Sequence, residues 1–146
     1  MLEYRSEQKF NFKETDYISG SNFLLKDVQY HKENRENLVS PSQTYYIYKH
    51  DNLDPIGKAT ITFIDNADEV LQGVITFKIF NPKPDMLYAY HIIRLLKEVA
   101  RSYDINVVYY LPTDGYEVKQ EELDKLNAQI FIEDGVQYYK IKVERF

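Results

Sequence analysis

The sequence predicts a single α/β domain built on a mixed, mostly antiparallel sheet of about six or seven strands flanked by helices. Three observations predict it. Fourteen Tyr and eight Phe stand beside no Trp, and both residue types favour pleated, half-buried surfaces. Residues 44–80 carry three β-rich runs separated only by short polar turns, the pattern of an antiparallel meander. Residues 85–103 carry a long stripe of helical period. A chain of 146 residues suits one hydrophobic core, and no Pro/Gly/Ser linker divides it, so 1–146 reads as one domain.

In chain order, residues 1–43 read as a helical and irregular N-terminal part. Phe10 and Phe12 alternate with polar neighbours, as in a short strand or an extended arm. From Ser21 the spacing of Leu24, Leu25, Val28 and His31 predicts a helix, with Ser21 or Asn22 as N-cap. Ser40-Pro41-Ser42 punctuates the chain. The meander follows as Thr44–His50, Gly57–Ile64 and Leu71–Phe80, with Ala59, Ile61 and Phe63 on one face and an acidic turn at 65–69. Asn81-Pro82-Lys83-Pro84 ends the sheet, since two prolines donate no ladder hydrogen bonds. The long helix runs from Asp85 or Met86 to Tyr103, with Ala89, Ile92, Ile93, Leu96, Val99, Ala100 and Tyr103 on its apolar stripe. His91, Arg94, Lys97, Glu98 and Arg101 fall towards its polar side, and Asp85 suits the positive end of the helix dipole. Val107–Leu111 is nearly all apolar, as in a strand buried on both faces. Val118–Leu126 suits a short acidic helix with Leu123 and Leu126 inward. Gln129–Glu133 and Val136–Glu144 form a hairpin closed by Asp134-Gly135.

Charge and composition exclude several functions. The formal net charge is −5 at neutral pH, and no basic run exceeds two residues, so no nucleic-acid partner is expected. An acidic surface more readily attracts a cationic partner such as an amine. No stretch approaches the roughly 18 apolar residues of a membrane span. The absence of Cys removes disulfides, thiolate nucleophiles and Cys-based zinc sites, and suits a reducing cytoplasm. No His/Asp/Glu cluster has metal-ligand spacing. The Tyr-rich strands supply core anchors, and their exposed half suits an aromatic pocket or a homodimer surface.

The element order over residues 44–144 resembles that of the GNAT N-acetyltransferase superfamily. Phe77-Lys78-Ile79-Phe80-Asn81-Pro82 looks like the family's strand and its exit, and Ile92–Arg101 looks like the body of its long helix. Ile105–Tyr109 looks like entry into the next strand. The resemblance implies acetyl-CoA as cofactor and a small-molecule or peptide amine as acceptor. It places cofactor contacts at Phe77, Ile79, Lys83, Met86, Leu87, Tyr88, Ala89 and Tyr90. The family's Q/R-x-x-G-x-G/A loop holds pyrophosphate on free N–H groups at a helix N-terminus. It falls here on Pro84-Asp85-Met86-Leu87-Tyr88-Ala89, where only Ala89 satisfies it. Pro84 replaces Gln or Arg, Leu87 replaces Gly, and Asp85 adds a negative charge. Leu123 stands where many members carry a proton-donating Tyr, and Asn127 replaces a Gly. Tyr116 or Tyr110 could take over the donor role.

General-base candidates are Glu69, Asp65, His50 and His91, with Glu69 preferred because it precedes the strand flanking the family's substrate cleft. Two functions stay open. One is acyl transfer from acyl-CoA to an amine, catalysed mainly by positioning; the other is a non-catalytic GNAT-fold binding or protein-interaction module.

Overall fold

The computed structural model describes residues 2–6, 8–65, 70–113 and 115–144. Eight strands and two helices follow the order β1 (Ile18–Ser19), β2 (Phe23–His31), β3 (Ser42–Lys49), β4 (Gly57–Asp65), β5 (Leu71–Ile79), α1 (Tyr88–Ser102), β6 (Val107–Tyr110), α2 (Gln120–Lys125), β7 (Gln129–Glu133) and β8 (Val136–Lys142). They form one sheet in the order β1-β2-β3-β4-β5-β6-β8-β7. All neighbours pair antiparallel except β5 and β6, which run parallel with Gly73 opposite Val108 and Ile75 opposite Tyr110. The α1 crossover joins these two strands, as a parallel pair requires.

The expected helix beginning at Ser21 is instead β2, paired with β3 from Phe23 opposite Lys49 to His31 opposite Ser42. The reason is a bulge. The register shifts between Lys26 and Gln29, and Asp27 takes a left-handed φ of 56°. One extra residue therefore separates Leu25 from Val28, so a strand's alternation imitates helical i, i+3 spacing. Both residues contribute to the same core.

The meander β3–β5 lies where its alternation places it. Ile61 stands opposite Gln43 on one side and Ile75 on the other, and this face packs beneath α1. Gly57 is required there, because a Cβ would lie 2.2 Å from the Lys78 carbonyl oxygen. Ile92, Ile93, Leu96 and Val99 of α1 are fully buried, each worth about 2 kcal/mol of transfer free energy. Lys97, expected on the polar side, is buried as well and pairs with Glu144 at 2.7 Å. The arm before β1 is extended. Its Phe10 stacks on Phe63 at 4.5 Å, and its Lys13 N–H donates to the Tyr103 hydroxyl at 2.7 Å. Gln43, fully buried, donates to Thr15 and Tyr45 and accepts from Tyr103, tying arm, sheet and helix end together.

Helix α1 begins three residues later than Asp85. Residues 84–85 form a turn, and Leu87 is the N-cap without any side-chain cap. The Tyr88 hydroxyl folds back to accept the Lys83 N–H at 2.9 Å, which holds the prolyl turn against the helix. Asp85 is therefore outside the first turn, and that turn holds no acidic residue. The closing hairpin turns at Asp134 and Gly135 with φ of 53° and 77°, the left-handed pair that a two-residue turn demands.

Candidate functional site

The N-terminus of α1 is where the sequence locates a cofactor, and it is already filled. Glu122, the third residue of α2, is completely buried. Its carboxylate accepts the Tyr90 backbone N–H at 2.9 Å, the Lys119 backbone N–H at 3.1 Å and the Tyr116 hydroxyl. The Tyr116 hydroxyl also reaches the Met86 carbonyl at 3.4 Å, and the nearby backbone amides of Tyr88 and Ala89 favour its ionised form. Burial first, and then the hydrogen bond and charge of Glu122, outweigh them and push the phenol well above its ordinary value. Of the opening amides of α1, that of Tyr90 is thus engaged by Glu122, and the Tyr116 phenol stands beside those of Tyr88 and Ala89. A buried carboxylate is stable here because it faces the positive ends of two helices and collects three donors.

Lysine 119 closes the arrangement. Its ammonium donates to the Met86 carbonyl at 3.1 Å and to the Tyr116 hydroxyl at 3.4 Å. Aromatic rings fill the space behind it. Phe77 stacks on Tyr110 at 5.6 Å with 7° between planes, and Tyr116 meets Tyr88 edge-on at 5.4 Å. The parallel pairing of β5 with β6 ends at Ile75 and Tyr110. Beyond it the Thr113 hydroxyl donates to the Phe77 carbonyl at 2.6 Å, so that backbone oxygen is also engaged. Outside this seal, residues 82–84 and 115–120 line a hollow of about 470 Å³ that includes Lys83 and Lys119.

The donor set does not fit a pyrophosphate. Such a group needs several free N–H donors converging in one place, and here the Tyr90 amide is engaged by Glu122 while the Tyr116 phenol stands beside the two amides before it. An added anion would also meet the Glu122 charge. Two unit charges 4 Å apart repel by about 4 kcal/mol at the dielectric typical near a protein surface.

The other candidate residues are dispersed. Glu69 lies outside the described residues. Asp65 is buried at the end of β4 and accepts the Arg5 backbone N–H. The His50 ring is bonded to the Gly20 carbonyl at 2.7 Å. His91 lines a separate hollow of about 530 Å³ between α1 and residues 17–23, with Arg94 and Glu98. Burial, and then Arg94, hold its pKa below the ordinary histidine value. Of the residues assigned to the cofactor, Phe77, Lys83, Met86, Leu87, Tyr88, Ala89 and Tyr90 do gather at the α1 entrance, with Tyr116 among them. Ile79 is buried in the core two residues further along β5. Sequence reasoning missed Glu122. Its one signal is its place three residues after Lys119 at a helix start, where a Glu commonly turns back to the preceding backbone.

No protein-family model and no curated protein matches this sequence. Solved structures do match by shape. The N-terminal domain of ribosomal-protein-alanine acetyltransferase from Clostridium acetobutylicum ATCC 824 superimposes with a TM-score of 0.52 at 17% identity, covering 88% of this chain and 95% of that one. A protein of Sphaerobacter thermophilus DSM 20745 assigned as an acetyltransferase gives a TM-score of 0.55 at 8% identity, covering 89% and 97%. At such identities the likeness concerns architecture, and the fold of this chain is that of the GNAT acetyltransferase superfamily.

Proposed function

We propose that this chain is a GNAT-fold binding module in which the acyl-CoA position has been taken over by the protein's own side chains. The observation that carries the reading is the buried Glu122 carboxylate on the Tyr90 amide, beside Tyr116 on the amides before it. Leu87 and Pro84 at the loop and Leu123 at the proton-donor position support it from the sequence. Fold alone does not select an activity.

The competing reading is N-acetyl transfer from acyl-CoA to an amine, and the shared fold favours it. It requires Glu122 to leave the Tyr90 amide and Tyr116 to move from beside the amides before it. Thermal melting with acetyl-CoA and with desacetyl CoA separates the two readings. A ligand that binds only the folded state raises the melting temperature by mass action. The binding-module reading expects no rise up to millimolar cofactor, and a concentration-dependent rise overturns it. The Glu122→Gln variant adds a control, since a response appearing only there identifies the Glu122 charge as the block.

A further inference from the structure

The described helices both pack on one face of the sheet. Ile92, Ile93 and Leu96 of α1 and Leu126 at the end of α2 share a single core cluster with Ile47, Ile61 and Ile75. The opposite face carries no described helix, and its composition is unusual for a chain of net charge −5. One row across four strands reads Lys26, Tyr46, Lys58, Lys78, each directly opposite the next. With about 4.8 Å between strands the row spans about 14 Å. The next row along β3, β4 and β5 is Thr44, Thr60 and Thr76. Further across, Lys140 lies opposite Tyr109 and Lys142 opposite Val107. Two more half-buried rings, Tyr138 and Phe131, pair beside them.

Two features of this face call for an anion. Lys58 and Lys78 are exposed and directly opposed, and like charges at such positions destabilise a sheet. Among the described residues no carboxylate forms an ion pair with either. Between them lies a hollow of about 320 Å³ lined by Thr60, Thr76 and Thr113 as well as the two lysines. The ammonium groups that do have partners rest on rings: Lys26 lies 4.4 Å from the Tyr48 centroid and Lys58 lies 5.1 Å from that of Tyr46. Asp27 in the β2 bulge, bonded to the Tyr48 hydroxyl, and Glu133 on β7 are carboxylates at the margins.

We propose that this face docks single-stranded nucleic acid. Lysines and hydroxyls track the phosphates, and a base stacking on Tyr46 displaces Lys58 from the ring towards the backbone. The central rows offer hydroxyls and charge rather than large apolar anchors, which disfavours a protein partner or a lipid surface. No described helix projects from the face to enter a duplex groove. The patch is hidden in the linear sequence because strand alternation spaces its lysines singly. This face is separate from the α1 entrance, and its docking does not depend on whether CoA binds.

The test is fluorescence anisotropy of a labelled 20-nucleotide single-stranded oligonucleotide with the intact chain. With about three phosphates neutralised, the log–log salt slope is about −2, so affinity falls about 20-fold between 50 and 200 mM salt. The Lys58→Gln/Lys78→Gln double variant should lose about tenfold in affinity and flatten that slope, while melting no lower than the parent. The control variant Lys9→Gln/Lys125→Gln, which removes the same charge elsewhere, should change affinity less than twofold. Absence of binding at 50 mM salt overturns the proposal, as does equal or tighter binding of the duplex. Equal loss in both variants also overturns it. So does equal binding of poly-L-glutamate or anionic vesicles, which would assign the face to another class of partner.

Discussion

Glutamate 122 organises the α1 entrance through three donors: an amide from each helix start and one phenol. Replacing it with Ala leaves the two amides without that partner in a half-buried place, while the Tyr116 hydroxyl keeps the Met86 carbonyl. At about 1 kcal/mol for each unsatisfied donor, Glu122→Ala should cost about 2 kcal/mol and lower the melting temperature by about 7 °C. Tyr116→Phe removes one of these bonds and should cost about 1 kcal/mol; thermal melts of the two variants check both figures. The tyrosines also set an alkaline limit. Burial raises Tyr45 to about 12 and raises Tyr110 and Tyr116 as well. A raised folded pKa means that the stabilisation is complete below the unfolded value near 10. It is lost as pH climbs from there through the folded values. Denaturant melts between pH 9 and 12 should show stability falling above pH 10, less steeply in Tyr116→Phe.

The elements differ in how plainly they can be read. Helix α1 and the meander β3–β5 announce themselves because each buries one face and so keeps a clean period: Ile92, Ile93, Leu96 and Val99 in one, Ala59, Ile61 and Phe63 in the other. Strand β2 is disguised, because the bulge at Asp27 shifts its alternation into a helix-like spacing. The start of α1 is disguised for a related reason. Asp85 has the chemistry of a helix opening, but the acid serving that end comes from α2, thirty-two residues beyond Tyr90. Two further predictions belong at this scale. Gly57→Ala forces a Cβ into the Lys78 carbonyl and should cost about 3 kcal/mol by strain between β4 and β5. Glu144→Gln leaves the buried Lys97 without its charged partner and should cost about 1–2 kcal/mol after allowance for the exposure of Glu144. The hydrogen bond from Lys97 holds the Glu144 carboxyl below its ordinary value. That contribution is present above about pH 4.5 and lost as pH falls through the folded value, so the variant should show a shallower acid limb in pH-dependent melts.

For the whole molecule, the sequence carries the architecture further than the site. The likeness through the long helix implies the GNAT fold, and the superposed acetyltransferase structures share that architecture. The departures at Pro84, Leu87 and Leu123 mark the site as altered, but only the folded chain reveals that Glu122 stands on the Tyr90 amide. Glu122 reaches its place through the crossing of two helices, a long-range contact with no local periodicity. The Lys26–Lys78 row is equally invisible until the strands are in register.

The most direct test of the filled entrance is to follow the backbone amides of Tyr88, Ala89 and Tyr90 by ¹H–¹⁵N correlation spectroscopy while acetyl-CoA is added. A filled entrance keeps these three signals fixed up to millimolar cofactor and moves Tyr90 strongly in Glu122→Gln. Saturable shifts of all three in the unmodified protein would contradict it, because they would show the amides released to the cofactor.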